Sequence, residues 1–428
     1  MKEDIKETRL DNGLCILTDR MPGVRSATLG FFYRVGSRHE PAELNGISHF
    51  IEHTVFKGTA KRTALDIAVE QDRLGGNLDA FTTHEETGFA IKVIDDQLPK
   101  AFDLIADMLT NPRFDDADLK SEKRVIIEEM KMIEDSPEEF LGEIFSEAFF
   151  PEHPFGQNIA GTPKTVKSFN PEITRKYHEN VFNASNLVIA AAGNIEHDQV
   201  VALVRSSNFS WPTASKSQLK LELQTRPPAL ATPILIKQNK NLEQAHLIIA
   251  TPLVSAIDER RYAADLLANI IGGGTSSRLW QKIREERGLA YSVGASAIMY
   301  QDCGMFSIFA GTSPEQVEEV VGLAVAEMRD VAQNGVTADE LDLAKQQTRA
   351  SVLLSLEDSA SRAASLAQSE MIHGRQISVE ETLSAVDAVT PDDCHAIASE
   401  FFRTEHLAFA ALGDLDDLNI TRESMRVS

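Results

Sequence analysis

The sequence predicts an α+β protein of two similar halves, each an antiparallel-rich sheet packed with helices, produced by an internal duplication. Three observations predict it. The chain has 428 residues, too many for one ordinary core, so two or more domains are expected. A stretch holding Pro212, Pro227, Pro228 and Pro233 with polar residues between them divides it near the middle. The same order of strand-like and helix-like segments runs on either side of that stretch. The expected division is a first domain over residues 1–212, a linker over 213–233 and a homologous second domain over 234–428.

The elements come in matching order. Strand-like sequence opens each half, over residues 27–35 and 245–251. A helix follows, then a strand pair over 79–93 and 292–310. Amphipathic helices come next, at 97–109 and 314–332. A further helix opens on Asp115-Asp116-Ala117-Asp118-Leu119 in the first half and on Thr337-Ala338-Asp339-Glu340-Leu341 in the second. These end near Glu134-Asp135-Ser136 and Glu357-Asp358-Ser359. Strand runs mixed with helix pairs give an α+β layer in each half.

The helix after the first strand carries His49-Phe50-Ile51-Glu52-His53, an H-x-x-E-H pattern. Asn45 and Gly46 read as its start and Gly58 as its stop. On a wheel of about 100° per residue, Phe50, Ile51 and Val55 fall within about 80° of Ile47 and form the buried face. His49, Glu52 and His53 lie on the opposite face. Histidines four apart sit one turn apart and can reach one metal, with a carboxylate between them placed to take a proton from water. The competing reading is a solvated polar face. The second half carries Ile271-Gly272-Gly273-Gly274-Thr275 at the matching place, so the pattern belongs to one half alone, as chemistry rather than scaffold would.

A catalytic zinc takes three protein ligands and keeps a position open. The helix over 116–135 offers Glu122, Glu128 and Glu129 beside an apolar stripe of Leu119, Ile126, Met130 and Ile133. Glu122 and Glu129 share one flank of that stripe, and Glu128 points to solvent. Flank glutamates with buried stems are the alternative. Glutamate is seldom drawn toward a core without a partner, which a cation would supply.

Together these residues resemble the pitrilysin/insulysin family of inverzincin metallopeptidases, closest to the subfamily of mitochondrial processing peptidase and its bacterial relatives. The resemblance rests on His49-x-x-Glu52-His53 with Glu129 76 residues beyond His53. It extends over nearly the whole chain. It includes Arg9-Leu10-Asp11-Asn12-Gly13-Leu14, Leu74-Gly75-Gly76-Asn77-Leu78-Asp79-Ala80-Phe81-Thr82, Val125-Ile126-Ile127-Glu128-Glu129, Gly272-Gly273-Gly274-Thr275-Ser276-Ser277-Arg278-Leu279 and Arg284-x6-Tyr291. The resemblance implies that His49, His53 and Glu129 hold Zn2+, that Glu52 is the general base, and that Arg284 and Tyr291 bind substrate and stabilise the oxyanion. Glu122 is assigned a supporting role, orienting a ligating histidine. The implied activity is endopeptidase hydrolysis of unfolded peptides or precursor segments in an enclosed dimeric chamber. The first domain would carry the zinc and the second the Arg/Tyr pair, supplied across a homodimer. The alternatives are a heterodimer with an inactive paralogue and a non-catalytic peptide-binding or partner subunit. Many relatives have Asn where this chain has Asp79, a change that removes an amide donor and adds negative charge near the substrate.

Composition bounds the partners. The net charge is −23, which argues against nucleic acid and favours basic peptides. No apolar run reaches membrane-spanning length, and the charged start Met1-Lys2-Glu3-Asp4-Ile5-Lys6-Glu7 has no signal-peptide core. Cys15, Cys303 and Cys394 are scattered and read as core residues suited to a reducing compartment. The expectation is a cytoplasmic protein with no membrane partner.

Overall fold

A computed structural model describes residues 3–210 and 228–427. Most of the expected linker at 213–233 lies outside the described residues. Contacts divide the chain into two compact units. The first comprises residues 1–131, 157–224 and 353–378, and the second residues 132–156, 225–352 and 379–428. The units therefore follow chain order except for two exchanged segments.

The first unit is built on strands β1 (Ile5–Arg9), β2 (Cys15–Arg20), β3 (Ser26–Tyr33), β4 (Leu78–Thr82), β5 (Thr87–Ile94) and β6 (Leu187–Gly193), in the sheet order β1-β2-β6-β3-β5-β4. The second is built on β7 (Ile234–Gln238), β8 (Ala245–Leu253), β9 (Ala290–Met299), β10 (Gly304–Thr312) and β11 (Ala408–Gly413), in the order β7-β11-β8-β10-β9. Pairing is antiparallel except for β2 with β6 and β7 with β11. In each sheet the last strand slots in parallel to an early one, β6 beside β2 and β11 beside β7. That shared irregularity is the mark of the duplication.

The inner strands are buried on both faces, which is why 187–193 reads as an unbroken apolar run. Successive side chains alternate between two cores. Leu187, Ile189 and Ala191 join the main core of the first unit, while Val188 and Ala190 face a second cluster. The second cluster is closed by a helix from late in the chain, Ser359–His373, which packs across β6, β3 and β2. The helix Pro137–Phe149, from the first half of the sequence, covers the second sheet instead. Its Leu141, Phe145 and Phe149 meet Ala408, Ala410 and Leu412 of β11. Cys15, Cys303 and Cys394 are buried.

Polar side chains fix the exchanged helix Ser359–His373 on the first sheet. Ser359 bonds Thr28 at 2.8 Å. Glu370 accepts from Arg9 at 2.9 and 2.7 Å and from Arg34 at 2.7 Å. Arg362 pairs with Asp19, their side chains only 2% and 3% exposed. Replacing Arg362 with Ala leaves Asp19 buried without its cation and is expected to cost about 3–5 kcal/mol. Hydrogen exchange in β2 and β6 measures this. Arg362→Met with Asp19→Leu is expected to recover most of the protection, because it removes both charges.

Candidate metal centre

The helix bearing the histidines, α1 (Ile47–Thr54), is bounded by glycines. Gly46 starts it at φ 93°, and a Cβ there would lie 2.5 Å from the Ala160 carbonyl oxygen. Only glycine fits. A 3-10 turn, Val55–Lys57, continues the helix to Gly58 at φ 129°. Ile47, Phe50, Ile51 and Val55 are all buried, as the wheel predicts. The buried Glu40 carboxylate accepts from the backbone N–H groups of Gly46 at 2.6 Å and Ser48 at 2.7 Å. It satisfies donors that a helix start leaves open. Burial pushes the Glu40 carboxyl up to about 7, against the lowering effect of those bonds.

The opposite face of α1 is not solvated. Glu52 is buried and both histidines are half-buried. Their ring centroids are 4.6 Å apart at 65°. Across from them runs α2 (Asp116–Glu134). Glu129 Oε2 lies 3.8 Å from His49 Nε2 and 3.6 Å from His53 Nε2. One ligand atom from each of the three residues lies within 4.8 Å of the others. Glu122, two helical turns earlier on the same flank, puts Oε2 3.3 Å from His53 Nδ1. Glu128 is exposed and pairs with Lys131 instead.

Sequence reasoning missed two neighbours. Lys57 Nζ lies 2.8 Å from Glu122 Oε1, so that buried carboxylate has a partner on each oxygen. Lys57 is four residues past His53, a helical spacing that would have hinted at it. Thr82 Oγ1 donates to Glu52 Oε2 at 2.6 Å. It lies within the edge strand already noted, but no spacing rule joins it to α1.

The electrostatics separate the two histidines. Burial, with the neighbouring His53 charge, pushes His49 down to about 4. Burial would lower His53 as well, but the Glu122 bond and the charges of Glu129, Glu52 and Glu122 outweigh it and raise it. Glu122 is lowered, because its bonds to His53 and Lys57 overcome burial. Glu52 is raised by burial despite the Thr82 bond and the His53 charge, with Glu129 adding to the rise.

These donors fit a divalent cation. Glu129 Oε2 is buried and has no hydrogen-bond partner, although it faces two ring nitrogens. An unsatisfied buried acceptor costs about 1–3 kcal/mol, and more when charged. A cation between the three atoms removes that cost. Two imidazole nitrogens and one carboxylate oxygen form a zinc donor set with an open fourth position, and they exclude the all-oxygen preference of calcium or magnesium. Ligand atoms of a tetrahedral zinc, bonded at roughly 2.0–2.1 Å, sit about 3.3–3.5 Å from one another. The observed 3.6 and 3.8 Å need only a small closure.

The remaining expected residues are distributed as follows. Asp79 is exposed on β4, the terminal strand of its sheet, and accepts from Asn77 at 2.6 Å. Arg284 and Tyr291 belong to the second unit and lie together there, with the guanidinium carbon 4.8 Å from the tyrosine ring centroid. Among the other histidines, His178 bonds the Leu109 carbonyl and His197 bonds Thr8 and Thr18. The matching helix of the second unit, Arg261–Gly272, carries no histidine. At Gly272 a Cβ would come 2.2 Å from the Ala295 nitrogen, so that glycine serves close packing on β9.

Comparison with known proteins gives a consistent picture. Residues 15–163 match the family model described as insulinase (peptidase family M16), and residues 168–348 match the peptidase M16 inactive domain. An uncharacterised zinc protease of Streptomyces coelicolor is 38% identical, covering 98% of this chain and 91% of its own. The uncharacterised zinc protease YmxG of Bacillus subtilis is 36% identical, covering 95% and 98%. A solved protease from Helicobacter pylori superposes with TM-score 0.87 at 20% identity, covering 96% of this chain and all of its own. A peptidase M16 inactive domain from Pseudomonas fluorescens gives 0.88 at 19% identity, covering 97% of this chain and 100% of its own. At those identities the two structures are alike in fold.

Proposed function

Because the chain belongs to the insulinase family of peptidases, M16, we propose that it is a zinc-dependent endopeptidase acting on unfolded peptides or precursor segments. The observation that carries this reading is the buried, unpartnered Glu129 Oε2 facing the Nε2 atoms of His49 and His53.

A bound zinc ion supplies Lewis acidity and a nucleophile at neutral pH. The side chains of this chain do the rest. His49, His53 and Glu129 hold the cation. Glu122 accepts the Nδ1 proton of His53, which fixes the tautomer and leaves Nε2 free to ligate. Lys57 holds the other Glu122 oxygen. Glu52, with one carboxylate oxygen held by Thr82, takes a proton from the attacking water and returns it to the leaving amine.

Strand β4 ends its sheet among the described residues, and Thr82 ties it to the base. An extended peptide would add to that edge through backbone hydrogen bonds, with loose sequence selectivity. The exposed Asp79 and the net charge of −23 favour basic residues in that peptide. Arg284 and Tyr291 of a second copy would supply oxyanion stabilisation within a dimeric chamber. A non-catalytic peptide-binding subunit is the alternative, and the complete set of His49, Glu52, His53 and Glu129 argues against it. No helix among the described residues is long and apolar enough to cross a membrane.

The test is cleavage of a quenched, unstructured peptide by the purified chain. Cleavage is expected to stop on chelation and return with zinc. Chelator-resistant cleavage, or none by zinc-loaded protein, would reject the proposal.

A further inference from the structure

The segment around Arg284 is more elaborate than a substrate-binding arginine requires. Four cations lie within residues 278–287, and three are spent on carboxylates. Arg278 bonds Glu340 and Asp330. Lys282 pairs with Glu327, and Arg287 with Glu319. Among the described residues, no hydrogen bond or ion pair engages the Arg284 guanidinium. In a chain with 65 acidic and 42 basic residues, an unpaired, half-buried arginine beside Glu285 and Glu286 calls for a cause.

The cause is aromatic. The Arg284 guanidinium carbon lies 3.9 Å from the Trp280 ring centroid as well as 4.8 Å from that of Tyr291. Both distances are well inside the range of cation–π attraction. Trp280 is itself held, since its indole Nε1 donates to Glu285 Oε1 at 3.0 Å. That bond also occupies the carboxylate next to Arg284 in sequence. The backbone adds to the arrangement. Residues Trp280–Glu285 form a π-helical turn, with Glu286 N bonding Gln281 O at 2.9 Å. Such turns are rare and cluster at functional sites. Stacking on ring faces leaves the N–H edge of a guanidinium open, and that edge is the part that recognises carbonyl and carboxylate oxygens.

We propose that Trp280 is a positioning residue, which with Glu285 fixes the plane of Arg284 so that its N–H edge is presented to a carbonyl or carboxylate oxygen of the bound peptide. The proposal rests on the peptidase reading and adds to it a residue that never touches the reacting atoms.

The experiment uses full-length, zinc-loaded protein carrying Glu52→Gln, so that a labelled unstructured peptide is bound and not cut. Trp280→Leu is expected to weaken binding roughly 2–5-fold, the range a partly exposed cation–π contact supports. Trp280→Phe, which keeps a ring, should stay within twofold of the parent. In an Arg284→Ala background, Trp280→Leu should add nothing further. A second readout is direct. The sequence has two tryptophans, so Trp211→Phe leaves Trp280 as the sole indole, and its emission should change when peptide binds and stay constant when Arg284 is Ala. Amidated and free-acid forms of the peptide tell a carboxylate from a backbone carbonyl, and either one satisfies the proposal. Full binding by Trp280→Leu, or a loss that persists undiminished in the Arg284→Ala background, would overturn it. Failure of the peptidase reading shows separately, as absent chelator-sensitive cleavage by the wild-type chain.

Discussion

Glu52→Gln is expected to bind zinc as the wild type does and to lose about 10²–10⁴-fold in turnover, the contribution of a positioned general base. That loss corresponds to roughly 3–5 kcal/mol on the barrier. Retention of zinc follows from the geometry. The three atoms placed to hold a metal belong to His49, His53 and Glu129, whereas Glu52 Oε2 is turned to Thr82. The glutamine keeps the size of the side chain and an oxygen to accept from Thr82, and it removes only the capacity to take a proton. Metal content and peptide cleavage, measured on one preparation, separate the two roles. Loss of zinc together with activity would make Glu52 a ligand. Full activity would remove it from the mechanism.

The second large effect concerns three glutamates on one helix. Glu129→Gln is expected to weaken zinc binding by at least about 10²-fold, since even a supporting residue around a metal is worth 10–100-fold. Glu122→Gln should fall within that 10–100-fold range, because its carboxylate fixes His53 and does not face the cation. Glu128→Gln should change nothing, since Glu128 is exposed and pairs with Lys131. Zinc affinity measured by chelator competition gives the order. Equal effects of Glu128 and Glu129 would mean that the variants act through general charge and not through ligation.

Much of this was legible in the chain because local periodicity carries it. The wheel for α1 placed Ile47, Phe50, Ile51 and Val55 together, and each of them is buried. The wheel for α2 put Glu122 and Glu129 on one flank and Glu128 outside, which is how they stand. The duplicated order of segments anticipated a sheet in each half. The exchange of helices was not legible. Pro137–Phe149 and Ser359–His373 each show a buried face in sequence, but amphipathicity does not say which sheet that face will cover. The choice lies in side chains far apart in the chain, such as Arg362 with Asp19 and the cluster that holds both Phe149 and Ala408. Thr82 stayed hidden for the same reason. It reaches α1 across a stretch of chain whose path no spacing rule gives.

The central claim is that two histidines of one helix and one glutamate of another share a single zinc ion. X-ray absorption at the zinc edge, on protein loaded with one equivalent, tests it most directly. A shell of nitrogen and oxygen at about 2.0–2.1 Å is expected, with the scattering signature of two imidazoles and no sulfur, and loss of one imidazole in His53→Ala. A shell containing sulfur, or an unchanged two-imidazole signature in His53→Ala, would contradict it.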